Sequence, residues 1–196
     1  MGVIFNDVCL RPNESVVIVG CGGVGLNSIQ AAALLKGYPI IAVDINEDSL
    51  NIAKEFGATH TVNVSKTDIK EKVMEITKNQ GSEHVVLTLG NPKAIEKAVD
   101  VSSVPGTVYF VGVPPTKEKI TIDPFKVHML RTLRGSCGGS TFPDKDIPSY
   151  INLYKMESIR LKELISEYVS LDEINKGVEM VKSGKKGRIV IKMDTQ

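Results

Sequence analysis

Short apolar runs rich in valine and isoleucine alternate along the chain with longer segments whose apolar residues recur every three or four positions. The first pattern is typical of buried strands and the second of amphipathic helices. Strands are predicted at residues 15–19, 39–44, 61–64, 84–88, 106–111 and 132–136, with a short alternating strand at 119–122. Helices are predicted at residues 26–36, 49–56, 69–78, 93–101 and 125–130. Because strands and helices alternate, crossover connections are required, and the predicted fold class is α/β, a doubly wound, mainly parallel six-stranded sheet.

The two ends of the chain depart from this alternation. Residues 1–10 resemble the last turns of an amphipathic helix without a start signal, so we expect the chain to be part of a longer one. Residues 11–140 carry the alternating pattern and form the predicted nucleotide-binding domain. Residues 141–196 form a helix–strand tail, in which Ser170–Glu173 is typical of a capping box that opens a helix.

A glycine-rich turn joins the first predicted strand to the first predicted helix. Residues 20–25 read G-C-G-G-V-G, which fits the pattern G-x-G-x-x-G. Gly20 permits the tight turn, Gly22 lets a pyrophosphate approach the backbone, and Gly25 lets the helix pack close to the strand. The free amides and the positive dipole end of that helix then face the phosphates. The residues predicted to bind phosphate here are Gly20, Gly22, Gly23, Val24 and Gly25.

The second predicted strand ends in Asp44, 19 residues after Gly25. A carboxylate near that spacing accepts hydrogen bonds from the hydroxyls of an adenosine ribose and repels a 2′-phosphate. Residues 45–48 supply no arginine or lysine that would attract such a phosphate. The sequence therefore predicts NAD rather than NADP, held here by Asp44, Ile45 and Asn46. The alternative is that Asp44 only caps the next helix.

Ligands of parallel sheets bind at the carboxyl ends of the strands. The residues that follow the other predicted strands are mostly glycine or small and apolar: Thr88, Leu89, Gly90, Val111, Gly112, Val113, Ser136, Cys137 and Gly138. Such residues suit a flat cofactor ring better than a charged reaction centre, and no catalytic residue is predicted. We interpret Cys137 as lining the cofactor pocket rather than as a nucleophile, because no base is placed beside it.

Composition and charge exclude several other classes. With 24 basic and 23 acidic residues the formal net charge is +1, which gives no electrostatic case for binding nucleic acid or an anionic membrane. No apolar run approaches the roughly 20 residues that span a bilayer. The N-terminus lacks the features of a signal peptide, so a cytoplasmic location is expected. The three cysteines and three histidines are scattered, so neither a disulfide framework nor a metal site is predicted.

Several motifs occur in the same order as in one known family. They are N-D-V at 6–8, V-G-C-G-G-V-G at 19–25, V-D-I-N at 43–46, F-G-A-T at 56–59, L-G-N-P at 89–92, V-G-V-P-P at 111–115, G-S-C-G-G-S at 135–140 and L-D-E-I-N-K-G at 171–177. On these motifs the chain resembles the medium-chain dehydrogenase/reductase family, and most closely its zinc-dependent alcohol dehydrogenase branch. The resemblance covers nearly the whole chain. It implies the NAD-binding Rossmann domain together with a C-terminal tail that packs towards a catalytic domain.

The resemblance also implies roles for single residues. Thr88, Leu89 and Asn91 match residues beside the cofactor riboses, and Val111 and Val113 match the backbone that holds the nicotinamide carboxamide. Arg188 matches an arginine that pairs with the pyrophosphate, with Lys186 as a further point charge. A homodimer formed through an edge strand near Lys119–Ile122 is implied as well.

For the whole enzyme the resemblance implies hydride transfer between nicotinamide and an alcohol or carbonyl carbon, with zinc polarising the oxygen. In this family the zinc ligands lie in a GroES-like domain that precedes the cofactor domain, and this chain lacks them. We therefore expect the chain to bind cofactor without turnover. The alternatives are a stand-alone nucleotide-sensing module similar to an RCK domain, or a catalytically inactive NAD-binding protein.

Overall fold

A six-stranded parallel sheet lies at the centre of the molecule. The structure is a computed structural model that describes residues 1–183 and 187–193. The strands are β1 Val16–Val19, β2 Ile40–Asp44, β3 His60–Asn63, β4 Ser82–Leu87, β5 Ser102–Phe110 and β6 Thr132–Gly135. They are arranged in the order β3-β2-β1-β4-β5-β6, and every neighbouring pair is parallel. The order reverses between β1 and β4, which opens a crevice at their carboxyl ends. The predicted Rossmann-like α/β fold is confirmed.

Helices follow most of the strands, and polar side chains fix where several of them begin. The helices are α1 Gly23–Leu34, α2 Glu47–Glu55, α3 Ile69–Ile76, α4 Pro92–Val101, α5 Pro124–His128, α6 Pro143–Lys155 and α7 Ile174–Lys182. Asn46 caps α2 by accepting hydrogen bonds from the N–H groups of Asp48 and Ser49. Asp68 caps α3 in the same way, by accepting from the N–H groups of Lys70 and Glu71.

The core lies on both faces of the sheet because successive strand residues point to opposite sides. Val16 and Ile18 of β1 pack with α1, α2 and the N-terminal segment, whereas Val17 and Val19 pack with α3 and α4. All four side chains are buried. This two-sided burial explains why β1 appears in the sequence as an unbroken apolar run rather than as an alternating one.

The tail returns to the sheet and adds a second, smaller one. Strand β7 Ile165–Ser170 pairs in parallel with β8 Arg188–Lys192. Gln30 of α1 fastens the tail: its Oε1 accepts from the Arg160 N–H at 2.8 Å, and its Nε2 donates to the Arg160 carbonyl at 3.2 Å. β8 starts close to the N-terminus of α1, because its first residue, Arg188, lies beside Gly23.

Two local predictions differ from the structure. The segment Lys119–Ile122 is not a strand, because it lies outside the ladders of the sheet; the Thr121 N–H instead donates to the Glu96 carboxylate at 2.6 Å. The helix after Ser170 does not begin at the predicted capping box. Residues 171–173 form a turn, and α7 begins at Ile174 without a side-chain cap.

The first residues are helical, as predicted, but in an unusual form. Val3–Val8 is a π-helix that ends at Cys9, whose backbone lies in the left-handed region at φ 50°. In the part of the chain that the structure describes, no helix is both long and apolar enough to span a bilayer.

Candidate cofactor site

The glycine turn has the geometry that its sequence predicts. Gly20 adopts φ +94°, a conformation that side chains disfavour. A methyl group added at Gly25 would lie 1.8 Å from the Gly20 carbonyl oxygen, so only glycine allows α1 to approach β1 this closely. The sequence therefore identified the residues that close the turn.

The start of α1 is open towards the crevice. A methyl group added at Gly22, the residue just before α1, would meet no atom within 4 Å, and Val24 in the first turn is exposed. One added at Gly23 would lie 2.8 Å from Nε and 2.9 Å from Nη2 of Arg188. Thus a guanidinium from β8 lies beside the free N–H groups of the helix, and both favour an anion. Lys186, the further charge implied by the resemblance, lies outside the described residues.

Asp44 lies at the carboxyl end of β2 and is held from two directions. Its Oδ2 accepts a hydrogen bond from the Cys21 N–H at 2.8 Å, and its Oδ1 accepts one from the Asn46 N–H at 3.0 Å. These bonds connect the acid to the glycine turn and fix its orientation. Ile45 beside it is 70% exposed, an apolar surface at the edge of the crevice. The side chain of Asn46 is engaged in capping α2.

A lysine that sequence reasoning missed reaches this end of the site. Lys66, from the connection between β3 and α3, donates to the Glu47 carboxylate at 2.7 Å, and the Asn63 amide donates to it at 2.8 Å. Both bonds hold the pKa of the Glu47 carboxyl below its ordinary value. Lys66 is therefore paired with an ionised acid at neutral pH. The sequence gives no sign of the pairing between Lys66 and Glu47, because the two residues are 19 positions apart.

The residues after β4 and β5 pack backbone against backbone. A methyl group at Gly90 would lie 2.0 Å from the Val113 carbonyl oxygen, and one at Gly112 would lie 2.2 Å from the Leu89 carbonyl carbon. The N–H groups of Val111 and Gly112 both donate to the Leu87 carbonyl. These contacts leave Val113 88% exposed at the crevice.

Several predicted polar residues use their side chains to build the site. The Thr88 hydroxyl lies 3.0 Å from the carbonyl oxygens of Val19 and Gly20, and so fastens β4 to the glycine turn. The Asn91 side chain caps α4. What remains for a ligand at these positions is backbone and the faces of apolar side chains such as Leu89.

The residues after β6 separate into a buried one and an exposed one. The Ser136 hydroxyl donates to Asp7 Oδ2 at 2.5 Å and is buried, whereas Cys137 is exposed with a free thiol. Asp7 and the neighbouring Asn6 are functional candidates that sequence reasoning did not assign. Their N-D dipeptide was noted only as a family motif, and the partner loop is more than a hundred residues away.

The predicted residues thus share one edge of the sheet, from Asp44 at the end of β2 to Ser136 after β6, with Arg188 opposite the glycine turn. No group of three or more His, Cys, Asp or Glu side chains within residues 1–183 and 187–193 is arranged to hold a metal ion. The site therefore combines a cationic cradle at α1 with an acid on one side and uncharged, partly apolar surfaces on the other. This arrangement fits a dinucleotide.

Comparison with known proteins agrees with the fold and the motifs. Residues 23–155 match the family model of zinc-binding dehydrogenases. The chain is 31% identical to alcohol dehydrogenase class-2 isozyme 2 of Oryctolagus cuniculus, across 97% of this chain and 50% of that protein. It is 28% identical to S-(hydroxymethyl)glutathione dehydrogenase of Paracoccus denitrificans, across 97% of this chain and 53% of the relative. The crystal structure of benzyl alcohol dehydrogenase from Acinetobacter calcoaceticus superimposes with a TM-score of 0.94 at 30% identity, covering 98% of this chain and 53% of that one.

The chain belongs to the zinc-binding dehydrogenase family. It spans about half the length of the curated relatives it matches. The predicted resemblance to the zinc-dependent alcohol dehydrogenases is confirmed, and the alternative of a stand-alone nucleotide-sensing module gains no support from these matches.

Proposed function

We propose that this chain is the NAD(H)-binding part of a zinc-dependent alcohol dehydrogenase-like oxidoreductase. The observation that carries the proposal is the position of Arg188, whose guanidinium lies at the start of α1 beside the open space at Gly22. Arg188 has no ion-pair partner in the described part of the chain. Its charge is therefore available to a pyrophosphate, which a guanidinium binds in bidentate fashion.

The strand order supports one orientation of the dinucleotide along the crevice. With the pyrophosphate at residues 20–25, the adenosine lies towards β2, where Asp44 accepts from the ribose hydroxyls and Ile45 covers the adenine. The nicotinamide lies towards the ends of β4, β5 and β6. There the backbone of Val111–Val113 and the surfaces of Leu89 and Cys137 would orient the ring. When bound, the nicotinamide supplies the hydride chemistry, and the chain's own residues hold it in place.

Charge at the adenosine end favours NAD over NADP. The Asp44 carboxylate is held in a fixed orientation by two N–H groups and would repel a 2′-phosphate. The nearby Lys66 is paired with Glu47 and so offers little compensation to such a phosphate.

For the whole enzyme we propose hydride transfer between NAD(H) and an alcohol, aldehyde or ketone. Zinc and the proton relay would then be supplied outside these residues, by a catalytic domain towards which residues 141–196 pack. Residues 1–10 would end the helix that joins the two domains, and residues 11–140 would form the cofactor domain. By itself the chain binds the cofactor without turnover. The predicted cytoplasmic location fits this function and stays a prediction.

We also propose a homodimer formed through the β6 side of the sheet. β6 is an edge strand, and the segment Lys119–Ile122 and helix α5 lie along α4, where the Thr121 N–H donates to Glu96 and the Lys126 ammonium pairs with Asp100. Phe125 of α5 and Leu130, between α5 and β6, are exposed apolar side chains. A second copy would cover these side chains and pair with the free edge.

Arg188→Ala tests the cofactor proposal. Loss of a charge-assisted contact worth about 1.5–3 kcal/mol should weaken NAD binding about 10- to 100-fold, measured by calorimetry. Arg131→Ala is the matched control, because Arg131 precedes β6 at the opposite end of the sheet and donates to the Ser102 carbonyl. Unchanged NAD affinity in the Arg188 variant would contradict the proposal.

A further inference from the structure

Asp7 is a buried carboxylate to which the proposed cofactor contacts assign no role. It is 4% exposed. Its Oδ2 accepts from the Ser136 hydroxyl at 2.5 Å, its Oδ1 accepts from the Ser140 hydroxyl at 2.6 Å, and Nη2 of Arg134 lies 3.7 Å from Oδ1. A carboxylate is costly to bury without such partners, so these contacts account for its presence in the interior. Through the hydroxyls of Ser136 and Ser140, Asp7 holds both ends of the loop 136–140.

The N-terminal segment, residues 2–7, packs against the middle of the same loop. Gly139 has φ +65°, and a methyl group there would lie 2.5 Å from the Val3 nitrogen, so the two backbones are in direct contact. The Asn6 side-chain amide donates to the Gly139 carbonyl at 3.2 Å and to the Asp146 carboxylate at 3.1 Å. The shape of loop 136–140 is therefore set by residues 2–7 as well as by the sheet.

This loop begins at the carboxyl end of β6, on the nicotinamide side of the crevice. The Ser136 N–H donates to the Phe110 carbonyl at 2.8 Å, which continues the pairing of β5 with β6 by one residue. The exposed Cys137 follows directly. Loop 136–140 thus stands beside Val111–Val113, the backbone proposed to meet the carboxamide, and far from Asp44 at the other end of the sheet order.

We propose that Asp7 is a positioning residue for the nicotinamide half of the cofactor. It holds loop 136–140 as a preformed wall, so that nicotinamide binding does not have to order the loop. The inference rests on the proposed NAD(H) function and adds to it a residue outside the sheet. It also places residues 2–7 in direct contact with loop 136–140, the proposed wall beside the nicotinamide.

A purely structural role for Asp7 predicts a different result. If Asp7 only stabilised the fold, its loss would reduce the binding of every nucleotide by the same factor, through the fraction of folded protein. A positioning role predicts a loss confined to ligands with a nicotinamide. NADH and ADP-ribose distinguish the two, because ADP-ribose contains the adenosine and pyrophosphate but no nicotinamide.

The test is the ratio of NADH to ADP-ribose affinity, measured by calorimetry in the chain and in its Asp7→Asn variant. Asparagine keeps one acceptor oxygen and faces the other serine with a neutral NH2 donor, so both charge-assisted bonds are lost and one end of the loop is held only by a reversed, weaker hydrogen bond. We expect NADH to bind about fivefold or more weakly, the lower end of typical coupling between linked sites, with the ADP-ribose affinity unchanged. Both ligands bind only the folded protein, so the ratio does not depend on how much of the variant is folded.

Two further variants keep the test decisive. Ser140→Ala removes one of the two loop bonds without touching the carboxylate and should lower the same ratio, which covers the case in which Asp7→Asn does not fold. Asp68→Asn, at the cap of α3 on the opposite face, should leave the ratio unchanged. A ratio equal to that of the wild type in both loop variants overturns the inference. If the wild-type chain binds neither ligand, the proposed function itself fails and the inference falls with it.

Discussion

At the residue scale, Asp44 accepts hydrogen bonds from the N–H groups of Cys21 and Asn46, and its remaining lone pairs are the acceptors we propose for the ribose hydroxyls. The substitution Asp44→Asn keeps an acceptor oxygen for one N–H group but removes the charge. A hydrogen bond to a charged group is worth about 1.5–3 kcal/mol, so we expect NAD affinity to fall about 10- to 100-fold. NADP should lose less, because the repulsion of its 2′-phosphate disappears together with the ribose contact. Calorimetry with both dinucleotides measures the two changes.

The control for that variant lies in the same part of the chain. Asp48 is exposed near the start of α2 and should tolerate Asp48→Asn without a change in affinity for either dinucleotide. If Asp44→Asn binds NAD with wild-type affinity, the role of Asp44 is structural only. That is the alternative in which Asp44 only caps the next helix.

Single residues also show what a motif cannot supply. The motifs placed Thr88, Asn91 and Ser136 at the carboxyl ends of the strands, but they did not identify the partners of these side chains. In the structure those side chains bind the glycine turn, the start of α4 and Asp7. A hydrogen-bond partner depends on the fold around the residue, so the sequence predicts the position of such a residue better than its contact.

At the scale of one element, two glycines of the unit formed by β1, the glycine turn and α1 have different roles. We expect Gly25 to affect the stability of the fold and Gly22 to affect ligand binding. Gly25→Ala forces a methyl group to 1.8 Å from the Gly20 carbonyl oxygen and should lower the free energy of unfolding by about 1–3 kcal/mol or more. Gly22 has an ordinary φ of −78° and open space around it, so Gly22→Ala should change that free energy by no more than about 0.5 kcal/mol. The added methyl group would, however, occupy the space through which the phosphate approaches.

Urea denaturation together with ADP-ribose binding measures both variants. We expect Gly22→Ala to be stable and to bind ADP-ribose about tenfold or more weakly, a loss of about 1.4 kcal/mol. If it is stable and binds with wild-type affinity, the phosphates do not cross the backbone at Gly22.

The elements differ in how well the sequence predicts them, for physical reasons. β1 and β2 were predicted within one residue because burial on both faces produces a continuous apolar run. The alternation at 119–122 resembles a strand, but a strand also needs a neighbour to pair with, and none of the ladders among residues 1–183 and 187–193 includes this segment. The predicted capping box at Ser170–Glu173 failed for a related reason, because a turn separates it from α7.

At the scale of the whole molecule, the site depends on two contacts between distant parts of the chain. Arg188 lies at the start of α1 in a tail that Gln30 fastens to that helix and in which β7 pairs with β8. Asp7 meets Ser136 across 129 positions. Periodicity and spacing describe local structure and cannot reveal such contacts. The role proposed for Arg188 came from a family resemblance, and the role proposed for Asp7 required the structure.

The proposed dimer is also a property of the whole molecule, and one apolar side chain tests it. Phe125 is 64% exposed on α5, the helix that precedes the edge strand β6, and in a symmetric dimer its burial would contribute twice, at about 1.5–3 kcal/mol for each side chain. Phe125→Glu should therefore convert a dimer into a monomer in sedimentation experiments. Val181→Glu adds the same charge at an exposed apolar position on α7 and should leave the mass unchanged. A wild-type chain that sediments as a monomer would contradict the dimer, whereas a dimer that survives Phe125→Glu would place its interface away from α5.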